Sequence, residues 1–116
     1  MTAGTAVPVY LRLRALLADA ILGGQYREGE QLPSVRAFAA QNGANPLTVA
    51  KAYQTLQDEG YVVVRRGVGM FVAAGASGRL LEGERRRFLH QVWPNVRAQI
   101  DRLGLEIDEL LAIERA

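Results

Sequence analysis

The chain has 116 residues, 49% of them hydrophobic and 22% charged, which suits one packed domain with a short appendage and excludes a disordered chain. It contains no cysteine, so disulfides and thiolate metal sites are excluded. Its formal net charge is +2, with seven basic and five acidic residues through Gly75 and seven of each after it; the mildly basic first part permits a nucleic-acid partner without establishing one.

The opening residues, Met1 to Ala6, read as a flexible tail. The stretch MTAGTAVPVY lacks the basic-then-apolar pattern of a signal peptide, and no apolar run approaches membrane-spanning length. A cytoplasmic protein without a membrane partner is expected. From Pro8, Val9, Leu13, Leu16, Leu17, Ala20 and Ile21 recur on one helical face, and Gly23-Gly24 ends the run. Gln25 to Gln31 reads as a turn around Gly29. Ser34 caps a short second helix that turns Val35, Phe38 and Ala39 to the core and stops at Asn42-Gly43.

Asn45 caps a third helix whose Pro46 sits where its missing N–H costs nothing. Val49, Ala52, Tyr53 and Leu56 form its inward stripe; Leu47, Lys51 and Gln54 point outward, with Thr48 and Ala50 on the flanks. Gly60 terminates it. Tyr61-Val62-Val63-Val64, the turn Arg66-Gly67-Val68-Gly69 and Met70-Phe71-Val72 make a hairpin signal. Helix, short helix, helix and hairpin form a winged helix-turn-helix, placed at 7–74. The fold class is therefore mainly α with a small β-hairpin wing, followed by a helical tail.

Ala73 to Gly78 reads as a small-residue linker. Beyond it, Leu81, Phe88, Leu89, Val92, Val96, Ile100 and Leu103 trace an apolar stripe at helical spacing, with a kink or break expected near Trp93 because of Pro94. Gly104 ends that helix. Ile107, Leu110, Leu111 and Ile113 mark a last short one. So many large apolar groups must be buried, and a homodimer contact over 79–115 is the preferred solution, with Leu110 joining the stripe. The alternatives are packing back onto the chain's own winged domain and a partner chain of another kind.

A recognition helix leads into the major groove with its N-terminal half. Here Lys51 lies in that half and Asp58 and Glu59 lie at the far end, where phosphates repel them. Lys51 and Gln54 suit base edges, and Leu47 suits a thymine methyl. Arg65 and Arg66 flank the glycine turn, which suits a phosphate backbone or a minor groove; Arg36 is a further phosphate contact. Catalysis has little support. His90 is the sole histidine, Ser34 is explained as a cap, Asp108 and Glu109 suit a helix's first turn, and Gly67 with Gly69 is too weak for a nucleotide loop. No catalytic residue, metal or cofactor is expected. A small-molecule effector bound near Trp93 is compatible with this reading, and its identity is unknown.

The pieces G-x-x-L-P-S-x-R, N-P-x-T-V-x-K-A-Y and R-R-G-x-G-x-F-V, read across Val7 to Val72, together resemble the GntR family of regulators, and within it the short YtrA-like members. The resemblance implies a DNA-binding repressor, or sometimes activator, that recognises a palindromic double-stranded operator as a homodimer. It implies that Arg36, with Ser34 at the same helix start, meets DNA backbone; that Asn45, Leu47, Thr48 and Lys51 approach the major groove; and that Arg65, Arg66 and Gly67 approach the minor groove. It also implies a two-helix dimerisation tail. Leu47 stands where a polar residue is common, Val68 where a basic one is, and Met70 where threonine is.

Overall fold

The structure, a computed structural model, describes residues 7–115; the segment 1–6, expected as a tail, lies outside them. In chain order the elements are α1 (Val9–Leu22), α2 (Val35–Asn42), α3 (Pro46–Asp58), β1 (Val62–Arg65), β2 (Gly69–Val72), α4 (Ala76–Arg87), a π-helical turn (Phe88–Val92), α5 (Trp93–Arg102) and α6 (Ile107–Arg115). The chain divides into two compact units, one through Leu81 and the other from Glu82.

In the first unit α1 and α2 both pack on α3. Their buried faces converge: Leu13, Leu17, Ala18 and Ile21 from α1, Phe38 and Ala39 from α2, and Val49, Ala52, Tyr53 and Leu56 from α3. Leu17, Val49 and Leu56 are fully buried, and burial of each side chain contributes ~1.5–3 kcal/mol. The buried stripe of α1 is narrower than its sequence pattern: Val9 and Leu16 are about half exposed, because the facing helix covers only the strip centred on Leu17. The Ser34 hydroxyl accepts from the Ala37 N–H at 3.0 Å and the Asn45 side-chain oxygen from the Leu47 N–H at 2.8 Å, as the capping pattern requires. Gly43 ends α2 in the left-handed conformation.

β1 and β2 pair antiparallel from Val62↔Val72 to Arg65↔Gly69. The segment expected as a plain turn does more than reverse the chain. Gln31 bridges Phe71, the Val72 N–H donates to the Glu30 carbonyl, and the Leu32 N–H donates to the Met70 carbonyl. Residues 29–32 thus satisfy the outer edge of β2, which would otherwise expose unpaired backbone groups.

Two features of the C-terminal part differ from the sequence reading. Ala73 to Gly78 is no free linker: α4 starts at Ala76, and Ala73, Ala76 and Leu80 are buried in the core of the first unit. Small side chains allow this close backbone approach. Arg79 fastens it, donating from Nη2 to the Gly60 carbonyl at 2.9 Å with its guanidinium 5.3 Å from the Tyr61 ring centroid. The disruption expected at Pro94 takes the form of a widened turn. The Trp93 N–H donates to the Phe88 carbonyl, five residues back, and this spacing makes room for a proline ring that would clash inside a regular α-helix. Gly104, at φ +67°, ends α5. The Glu109 carboxylate accepts from the Glu106 N–H at 2.8 Å and caps α6.

Candidate nucleic-acid interface

Four of the expected contacts come from the first half of α3 and its cap. Leu47 is 80% exposed although the opposite face of its helix is buried, and Lys51, one turn on, is exposed beside it. Thr48 is half-buried and the capping Asn45 is exposed. Gln54 behaves differently. Its Nε2 donates to the Asp58 carboxylate at 2.9 Å, which turns its amide toward the acidic end of the helix. At that end Glu59 pairs with Arg14 of α1 at 2.8 Å, offsetting an acidic group placed at a helix C-terminus.

The start of α2, the recognition helix and the wing are joined by a short relay of contacts. The Tyr53 hydroxyl, on the inner side of α3, donates to the Pro33 carbonyl at 2.6 Å, just before the Ser34 cap. Burial pushes this hydroxyl above the ordinary phenol range, and the nearby Tyr26 adds to the effect. Two residues upstream, Gln31 donates from Nε2 to the Val68 carbonyl at 2.9 Å and braces the wing tip. The tip is a three-residue loop closed by the Val68 N–H on the Arg65 carbonyl at 2.9 Å, with Gly67 at φ +78°. Gly69, at φ +147°, lies so close to the Gln31 side chain that any Cβ there would collide with it. The relay sets α2, α3 and the wing as one rigid body, the condition for contacting several places on a ligand at once.

The cations of this body differ in their surroundings. The Arg65 guanidinium stacks on the Phe71 ring, 4.4 Å from its centroid, which holds it in place without neutralising it. Arg36 and Arg66 are exposed, and among the described residues neither is paired with a carboxylate. Lys51 lies 4.2 Å above the Tyr10 ring. Sequence reasoning missed Tyr10 and Gln31, since each acts through a residue 37 or more positions away; the only signal was that neither falls on an inward stripe.

The residues expected at a dimer contact remain outside any core. Leu81, Phe88, Leu89, Val96 and Leu103 are exposed and Val92, Ile100 and Leu110 half-buried, and no described residue from Glu82 through Ile113 is buried. A shallow cleft of about 250 Å³ in this unit is lined by Gly83, Arg86, Arg87, His90 and Gln91; Trp93, expected beside an effector pocket, is not among them. Among the described residues no group of three or more metal-ligating side chains assembles, and no helix is long and apolar enough to cross a membrane.

Known proteins share this arrangement. The model of the family described as bacterial regulatory proteins, gntR family, matches residues 9–72. The HTH-type transcriptional repressor YtrA of Bacillus subtilis is 36% identical over 80 residues, 69% of this chain and 62% of that protein, so the chain spans less than two thirds of that relative. The uncharacterized HTH-type transcriptional regulator YhcF of the same organism is 30% identical over 104 residues, 90% of this chain and 84% of that protein. A transcriptional regulator from Oenococcus oeni, 29% identical, superposes with a TM-score of 0.73 over 99% of this chain and 94% of that one. With a family match over more than half its length and a relative similar across most of both sequences, the chain belongs to the gntR family of bacterial regulatory proteins and carries the winged domain of its DNA-binding transcriptional regulators.

Proposed function

We propose that the chain binds a palindromic operator in double-stranded DNA as a homodimer and represses transcription from it. The first half of α3 enters the major groove, where Leu47 meets a thymine methyl and Lys51 a base edge. The wing, with Arg65, Arg66 and Gly67, follows the adjacent backbone or minor groove, and Ser34 and Arg36 hold phosphate. Gln54 reaches a base only after exchanging its bond to Asp58. The observation that carries this reading is Leu47. A leucine 80% exposed at the leading end of a well-packed helix is a poor surface residue and a suitable methyl contact.

The helices of residues 79–115 supply the dimer contact. Support comes from the lack of any buried side chain from Glu82 through Ile113, which leaves an apolar face that a second copy satisfies symmetrically. Relatives named as transcriptional regulators favour DNA over a heterologous protein partner. Binding selection from a random duplex library, at two salt concentrations, tests the reading. Enrichment of an inverted repeat, with sedimentation showing a dimer on DNA, is the expected result. Binding without sequence preference at either salt concentration would refute it.

A further inference from the structure

Tyr10 stands in the first turn of α1 and is half-buried. Its ring lies under the Lys51 ammonium, 4.2 Å from nitrogen to centroid, although the two residues are far apart in sequence. Lys51 is the only lysine in the chain. It follows Leu47 by one helical turn, so both project from the same face of α3. The backbone that carries the ring is anchored: α1 packs on α3 through Leu13 and Leu17, and the Arg12 Nη1 donates to the Val7 carbonyl at 3.0 Å as the chain enters α1.

A long ammonium side chain loses much rotamer freedom when it settles on a base edge. A neighbouring carboxylate would restrict it in advance but would also cancel the charge that DNA attracts. An aromatic face restricts it and leaves the charge intact. Among the described residues no carboxylate pairs with Lys51; the ring is the partner that orients it. We infer that Tyr10 is a positioning residue of the DNA interface, whose aromatic face holds the Lys51 ammonium along the recognition side of α3 and thereby sets the base preference where Lys51 reads. The inference rests on the proposed DNA-binding role of α3.

The test uses the full chain with Tyr10→Phe, Tyr10→Leu and Lys51→Ala. With isotopically labelled lysine, the ε-methylene of Lys51 gives one NMR signal in the free protein. It is shifted upfield by the ring current, keeps that shift in Tyr10→Phe and loses it in Tyr10→Leu. The binding probe is a fluorescein-labelled duplex carrying the inverted repeat that the wild-type protein enriches. Tyr10→Phe binds within twofold of wild type. Tyr10→Leu binds about two- to fivefold more weakly, with an unchanged salt slope because no charge is removed. It also loses discrimination by the same factor against a duplex altered at the base that Lys51→Ala no longer distinguishes. Tyr10→Leu with full affinity and discrimination, or with an equal loss on every duplex, would overturn the positioning role. So would the lack of a ring-current shift in the wild type. Lys51→Ala binding as wild type would overturn the reading of α3 as well, an outcome separable from failure at Tyr10 alone.

Discussion

Tyr53→Phe removes one oxygen from the centre of the winged domain and leaves the ring, 2% exposed, in its place. The lost contact is the 2.6 Å bond to the Pro33 carbonyl. Pro33 is half-buried, so water restores part of its hydration, and the loss at neutral pH is ~1 kcal/mol, at the low end for an orphaned acceptor. The same hydroxyl acts with opposite sign in alkali. Its folded-state pKa is raised above the unfolded value, so above pH ~10 the unfolded chain releases a proton that the folded chain keeps. Stability from this group is complete below that pH and falls by up to ~1.4 kcal/mol per unit above it. Phenylalanine has no such loss. The wild type therefore leads by ~1 kcal/mol at pH 7, and the two proteins converge near pH ~11. Urea unfolding followed by far-UV circular dichroism, at fixed protein concentration across pH 7 to 11, measures both limbs. Equal stability at pH 7, or a constant gap up to pH 11, would refute the account.

Gly69→Ala forces a Cβ into the Gln31 side chain at a backbone angle of +147°. It lowers stability by about 1–3 kcal/mol, and adding Gln31→Ala restores only part of that, as unfolding of the single and double variants will show. Arg36→Ala, removing one proposed phosphate contact, reduces the salt slope of operator binding by about one unit while leaving sequence preference intact; titration at several salt concentrations reads this. Val96→Glu, placing a carboxylate in the apolar stripe of α5, shifts the protein to monomer in sedimentation and leaves the winged domain's circular dichroism unchanged.

Most of the winged domain is legible in sequence because its signals are local. Ser34, Asn45 and Gly43 act on backbone within two to four residues, and the α3 stripe at Val49, Ala52, Tyr53 and Leu56 follows the helical period. What was not legible depends on partners distant in sequence. Nothing near Gln31 announces that it lies along β2 and braces Val68. Nothing near Tyr10 announces Lys51. The run Ala73 to Gly78 has a linker's composition, yet small residues serve equally for close packing, and Leu80 and Arg79 decide the matter. Pro94 signals a disturbance in the helix without saying whether the chain bends or widens. The proposed interface residues on α3 and the wing follow from position, whereas the engagement of Gln54 with Asp58 needed side-chain geometry.

A chain with one lysine among 14 basic residues, set on the recognition helix above an aromatic ring, carries its own chemical reporter. Amine-directed reagents find one lysine target, Lys51. Reductive methylation with isotopic carbon keeps the charge and marks the recognition helix, whereas acetylation erases that charge at a single atom. The occupancy of the proposed DNA face can thus be followed without altering the sequence.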